Sequence, residues 1–249
     1  MAFSVKPYIP NTITSLNLLC GVIATLCAFE GHFQLAAVFI ISGAVFDFFD
    51  GFAARALGVS GPMGKELDSL ADNISFGLAP AAIYSTYMRL LLTGSLTTPL
   101  EKMEGWQVAL VAAPLLLAVF AGLRLAKFNI DTRQTESFLG LTTTATGLFT
   151  ASLFWMLPEH TNYFCQILTP ATTLILVAIF CALLVSEIPM FSLKVKHFTW
   201  AGNELRVALL VVAVVSIIFL GLGGISLTIL LYTLFSILKA LLSPKGAKK

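Results

Sequence analysis

Apolar residues run along this chain in long blocks, and the polar residues between them set the expected architecture. Eight blocks stand out, approximately Ile9–Phe29, Phe33–Ala54, Asn73–Leu92, Trp106–Ala126, Thr144–Leu157, Leu168–Val185, Leu205–Leu222 and Ile225–Leu242, the fifth being the shortest. A bilayer core about 30 Å thick is crossed by about 20 helical residues. Inside hydrocarbon, every backbone N–H and C=O must be satisfied within the segment, which a helix does. The pattern predicts an all-α fold: a polytopic membrane helix bundle with about eight transmembrane helices. The first block is longer than a signal-peptide core and lacks a small-x-small cleavage site, so it is expected to persist as a helix.

The polar connections alternate in character. Those at Glu30–His32, Glu159–Gln166 and Gly223-Gly224 are short, and the one from Thr93 to Gly105 is longer. The polar material collects in the connection after the second block, in "GLRLAKFNIDTRQTESFLGLTTTATG" and in "SEIPMFSLKVKHFTWAGNELR". Of the 15 Lys and Arg residues, all but Arg89 and Lys102 fall on the side of these three segments. Basic residues accumulate in cytoplasmic loops, which places both termini and the polar segments on the cytoplasmic face of the cell (inner) membrane. Three polar segments on one face suggest a shared cavity open to the cytoplasm. The last two blocks hold few polar groups, Ser216, Ser226, Thr228 and Thr233, and read as scaffold or oligomer contact.

Composition agrees with the pattern. The chain is 57% hydrophobic and 11% charged, with a mean hydropathy of +0.90, against about 25% charged residues in a soluble domain. The net charge of +2 is a cytoplasmic basic excess suited to anionic lipid headgroups; no nucleic-acid partner is expected. Cys20, Cys27, Cys165 and Cys181 lie in or beside apolar blocks without C-x-x-C spacing, which favours packing over metal binding or disulfides. The histidines, His32, His160 and His197, fall in loops and are expected to be inert.

One stretch breaks the apolar pattern: "DFFDGFAARALGVSGPMGKELDSLAD", Asp47 to Asp72. At 3.6 residues per turn, Asp47, Gly51 and Arg55 share one helix face, with Asp50 and Ala54 alongside. Gly61 and Pro62 break the chain, after which Gly64, Asp68 and Asp72 recur every four residues on one stripe. A short turn makes the two helices antiparallel neighbours, so the acidic stripes can face each other. Four facing carboxylates cannot all stay ionised without a counter-charge. Hard oxygen ligands with no nearby His or Cys point to Mg²⁺, Mn²⁺ or Ca²⁺, and four carboxylates suffice to bridge two such ions. Gly51 and Ala54 let a bulky ligand approach the backbone, and Arg55 supplies a cationic fork for phosphate. Together these features suggest phosphoryl transfer. A cation-coupled transporter also carries intramembrane carboxylates, but internal repeats and paired broken helices are not seen in this sequence.

The spacing D-x-x-D-G-x-x-A-R-x8-G-x3-D-x3-D resembles the signature of the CDP-alcohol phosphotransferases, with Asp47, Asp50, Gly51, Ala54, Arg55, Gly64, Asp68 and Asp72 at its fixed positions. The resemblance implies two divalent cations, Mg or Mn, on Asp47, Asp50, Asp68 and Asp72, with Asp72 also the base for the acceptor hydroxyl. It implies donor contacts from Gly51, Ala54 and Arg55, with Gly64 facing the same site. Family members often carry a serine three residues before the second glycine; Gly61 stands there, with Ser60 as the candidate substitute. The family's shared region covers six helices, so residues 1–200 are expected to form the core and 201–249 a C-terminal helical hairpin with a basic tail. The family also suggests a homodimer.

The flanking text, "IPNTITSLNLLCG", "LDSLADNISFGLAPA" and "GLRLAKFN", is similar to the branch that takes CDP-diacylglycerol as donor and L-serine as acceptor. Serine needs a cation for its carboxylate, for which Arg124 is the first candidate, with Asn129 and Lys194 behind it; Glu187 is a weaker candidate for the ammonium. Asn11, Thr14 and Asn17, spaced by three, form a polar stripe on the first helix directed towards the nucleotide. Glycerol 3-phosphate, inositol or an amino alcohol are the alternative acceptors, and Arg124, Lys127 and Arg133 keep a phosphorylated acceptor open.

Overall fold

The computed structural model describes residues 6, 8–59, 61–131, 138–157, 166–190 and 204–242. Helices α1 (Tyr8–Phe29) and α2 (Phe33–Leu57) form an antiparallel hairpin. Fully buried Ala24 and Ala28 on α1 and Ala36 and Ala37 on α2 are part of one core, and small residues of this kind let helix backbones approach closely. α2 stops at Gly58, whose φ of 63° is left-handed. The N–H groups of Gly58 and Val59 return to the carbonyls of Arg55 and Ala54 at 3.2 and 3.0 Å, satisfying the last turn. Helix α3 (Pro62–Asp72) starts three residues after Val59 with Pro62 in its first turn, where its missing N–H costs nothing.

α3 does not end where the third apolar block begins. A π-helical segment, Asn73–Leu78, carries it without interruption into α4 (Ala79–Thr93). The polarity change at Asn73 therefore marks a change of helical winding and not a loop. Such π segments tend to lie at functional sites, and this one adjoins Asp72. α4 ends at Gly94, with φ 71°. The next span is α5 (Gly105–Ala112) and α6 (Leu116–Ile130), joined by a 3₁₀ turn containing Pro114, which removes a helical donor and disturbs the ladder.

Helix α7 (Thr143–Trp155) is capped by Thr142, whose hydroxyl accepts from the Ala145 N–H. α8 (Pro170–Val185) is capped in the same way by Thr169. α9 (Glu204–Leu220) and α10 (Gly224–Leu242) reverse at the 3₁₀ turn Gly221–Gly223 and pack on each other. α10 rests on α7, where Ser152 Oγ donates to the Leu222 carbonyl at 2.7 Å and accepts from the Ser226 N–H at 2.8 Å. The all-α expectation misses one detail: strands Phe138–Leu139 (β1) and Pro189–Met190 (β2) pair as a small antiparallel ribbon. It ties the connection after α6 to the one after α8.

At the end away from the aspartates, Phe33, Tyr84, Tyr87 and Phe154 form an edge-on aromatic cluster with centroids 5.2–6.4 Å apart. Large apolar side chains cover the outside; Ile218 and Phe219 are 72% and 81% exposed, as lipid contact requires. Among the described residues, four stretches are long and apolar enough to cross a membrane: Tyr8–Phe29, Phe33–Leu57, Gly105–Ile130 and Val207–Leu242. The last contains the α9–α10 reversal. The protein is thus an all-α, membrane-integral bundle.

Candidate active site

Asp47 and Asp50 lie on the last turns of α2, and Asp68 and Asp72 on α3. Because Gly58 and Pro62 bracket a tight reversal, the two acidic stripes meet. Asp47, Asp50 and Asp68 each present a carboxylate oxygen, all within 4.8 Å of one another. Asp72 sits one turn deeper, within electrostatic reach of the other three. Asp50 and Asp72 are buried, at 5% and 8% exposure.

The first helix supports this cluster from behind. Asn17, fully buried, donates from Nδ2 to Asp72 Oδ1 at 3.3 Å. Thr14 is also buried, and its hydroxyl is in reach of both Asp50 and the Pro10 carbonyl, the latter at 3.0 Å. Asn11 faces Gly64: a Cβ there would lie 3.2 Å from Asn11 Oδ1. The polar stripe of α1 therefore points at the aspartates through Thr14 and Asn17, and only Asn11 keeps partial exposure. Arg55, exposed on α2, folds its guanidinium back over Gly51, where a Cβ would come within 3.2 Å of Nη1. Ala54 is half-buried beside them.

The acceptor candidates separate. Arg124 on α6 is buried, stacks over the Phe128 ring at 5.3 Å and lies within electrostatic reach of Asp72. Asn129 is engaged with α3: its Nδ2 donates to Ser69 Oγ at 2.9 Å and its backbone carbonyl accepts from Lys65 Nζ at 2.8 Å. Glu187 pairs with Lys127 at 3.1 Å. Lys194, Ser60, Arg133, Cys165, His160 and His197 lie outside the described residues, as do parts of all three polar segments. An open cavity of about 550 Å³ lies at the opposite end of α2, lined by Gly31, His32, Phe33, Gln34 and Trp155 among others; it is remote from the aspartates. Sequence reasoning passed over Ser69 and Ser75. Ser75 Oγ donates to the Asn17 carbonyl at 2.9 Å, a link between residues far apart in the chain that no local pattern announces.

The acid cluster fits a hard divalent cation. Its donors are carboxylate oxygens, three of them already converge, and the buried Asp50 Oδ2 has no hydrogen-bond partner. Buried acceptors in proteins are ordinarily paired, and a cation would complete this one.

A carboxylate cage of this kind between two helices, with an exposed arginine on the next turn, points to a class. Residues 7–219 match the family model for CDP-alcohol phosphatidyltransferase, and the chain belongs to that family. It is 35% identical over 141 residues to the CDP-diacylglycerol--serine O-phosphatidyltransferase of Bacillus subtilis, covering 54% of this chain and 68% of that one. The Helicobacter pylori (strain 26695) protein of the same name is 28% identical over 235 residues, 92% of this chain and 90% of the relative. The archaetidylserine synthase of Methanothermobacter thermautotrophicus is 31% identical over 137 residues, 53% of this chain and 52% of that protein.

Proposed function

We propose that this protein transfers the phosphatidyl group of CDP-diacylglycerol to the hydroxyl of L-serine, releasing CMP. The observation that carries the reading is the convergence of Asp47, Asp50 and Asp68, with Asp72 behind them, at the mouth of an α2–α3 hairpin that also bears Arg55. The names of the Bacillus subtilis and Helicobacter pylori relatives supply the donor and acceptor.

In this reading the acyl chains of the donor stay in lipid while its head enters between α2 and α3. Arg55 takes a phosphate oxygen, and Gly51 and Ala54, with little or no side chain, admit the cytidylyl half to the helix surface. Gly64 and Asn11 form the facing wall. Asp47, Asp50, Asp68 and Asp72 are the residues that would hold two divalent cations, Mg or Mn. When bound, these supply charge neutralisation at the pyrophosphate. Arg124 receives the serine carboxylate as a planar cationic fork. Asp72, held by Asn17, accepts the proton of the serine hydroxyl, whose oxygen attacks the phosphorus bearing diacylglycerol as the bond to CMP breaks. Positioning and charge stabilisation supply most of the rate in phosphoryl transfers.

The further parts of the proposal follow the charge pattern. About eight spans cross the cell (inner) membrane, with the active site and both termini cytoplasmic. Residues 1–200 form the catalytic core, 201–249 an added hairpin, and the working unit is a homodimer.

The test is CMP release by purified protein with CDP-diacylglycerol and labelled serine, glycerol 3-phosphate or inositol offered in turn. Serine alone should sustain release and take up the phosphatidyl group. Asp72→Asn should abolish turnover while CDP-diacylglycerol binding stays measurable; full activity in that variant would remove Asp72 as the base.

A further inference from the structure

Helix α3 carries half of the acid cluster, yet little apolar packing holds it in place. Of its 11 residues only Ala71 and Asp72, in the last turn, are buried, and Met63 and Leu70 are 73% and 63% exposed. α3 lies on α1, touches α6 and scarcely meets α2. What stands between α2 and α3 is the acid cluster itself, and like charges at such range repel. Before a cation binds, the cluster therefore pushes α3 away from α2, and the restraint has to come from the other sides of the helix.

On the α6 side that restraint is a closed ring of three hydrogen bonds. Asn129 Nδ2 donates to Ser69 Oγ at 2.9 Å, Ser69 Oγ donates to the Lys65 carbonyl at 3.1 Å, and Lys65 Nζ donates to the Asn129 carbonyl at 2.8 Å. Asn129 sits in the last turn of α6, which ends at Ile130, so its carbonyl is one of those that a helix leaves without an internal partner. A lysine ammonium suits the negative end of the helix dipole. At 3.6 residues per turn, Lys65, Ser69 and Asp72 fall within about 60° of arc on α3, with Asp68 next to them. The ring thus borders the acidic stripe. Ser69 directly follows Asp68 and precedes Asp72 by three residues, so any rotation of α3 that breaks the Asn129–Ser69 bond turns both carboxylates.

We propose that Ser69 and Asn129, with Lys65, are positioning residues for the cation site: their clasp fixes the rotation of α3 and so raises the affinity of the cluster for a divalent cation. The inference rests on the reading of the four aspartates as cation ligands. It gives Asn129 a task at the metal site in place of one at the acceptor. α1 supports the opposite flank of the stripe, where Asn11 faces Gly64, so the clasp completes a two-sided hold on α3.

The experiment measures Mn²⁺ binding to the purified full-length protein in detergent, from the electron paramagnetic resonance of free Mn²⁺, and needs no turnover. Absence of binding by wild type would sink the cation reading and this inference with it. With wild type binding, Ser69→Ala and Asn129→Ala should each raise the Mn²⁺ Kd about three- to ten-fold, the loss of one hydrogen bond. Both changes replace a neutral side chain by a neutral one, so the effect is not one of charge. Because the two residues share that bond, the double variant should bind about as the single variants do, far from the product of their effects. Ser69→Ala, the milder change, carries the test alone if Asn129→Ala does not fold. The serine KM of Asn129→Ala at saturating Mn²⁺ should stay within about two-fold of wild type. A lowered melting temperature with an unchanged Mn²⁺ Kd, effects that multiply in the double variant, or a raised serine KM at unchanged Mn²⁺ affinity would each overturn the clasp while leaving the cation reading standing.

Discussion

The Asn17 amide donates to Asp72 Oδ1 at 3.3 Å, joining the middle of α1 to the last residue of α3. Asn17 has no freedom to move away. Ser75 Oγ holds its backbone carbonyl at 2.9 Å, and Gly43 of α2 closes against its side chain, where a Cβ would lie 2.9 Å from Oδ1. Three helix segments therefore fix the direction of one carboxylate.

Removing that donor should act on turnover. Asn17→Ala is expected to lower kcat by at least about ten-fold, since small misplacements of a reacting group are costly, with little change in the donor KM. Gly43→Ala, which pushes a methyl onto Asn17, should lower kcat in the same sense. Steady-state CMP release checks both; a normal kcat in folded Asn17→Ala would separate Asn17 from the base.

Asp50 contributes an unpartnered buried oxygen to the convergence of three carboxylates. Chelation should abolish activity, and Mg²⁺ or Mn²⁺ should restore it. Asp50→Asn keeps the shape and loses the charge, so the cation concentration giving half-maximal activity should rise by about ten-fold or more. A metal titration of the two proteins reads this directly.

Arg124 is buried and stacked on Phe128. Arg124→Lys retains the charge but not the planar fork or the stacking. The serine KM should rise several-fold or more, with the CDP-diacylglycerol KM nearly constant, in the same two-substrate assay.

Two substitutions contrast in stability. The Lys127–Glu187 pair leaves its side chains 40% and 61% exposed, and exposed pairs are worth about 0–1 kcal/mol. Lys127→Ala should therefore move the detergent-solubilised melting temperature by no more than a degree or two. Gly147→Val should do far more, because even its Cβ would stand 2.9 Å from a Phe76 ring carbon. Overpacking of this kind costs about 1–3 kcal/mol, seen as a clear drop in melting temperature.

The sequence alone determined the helical membrane architecture, because lipid leaves a chain few choices and apolar blocks must form helices; the Gly-Pro break turns α3 back towards α2, but α3 packs chiefly on α1, with the acidic side chains meeting between α2 and α3. It also announced the acidic cluster, since Asp47, Asp50, Asp68 and Asp72 follow helical periodicity and that period is local. Tertiary structure decided the rest. That Asn17 meets Asp72, that Asn129 is engaged with Ser69 and Lys65, and that Arg124 stands within electrostatic reach of Asp72 are relations between residues tens of positions apart. The π segment after Asp72 was equally hidden, since a change in helical winding leaves the apolar pattern almost unaltered; there Asn73 lies against Gly77 of the same segment and Gly122 of α6. Periodicity within a helix is written in its own residues; the angle and depth at which two helices meet are set by the packing of all their neighbours.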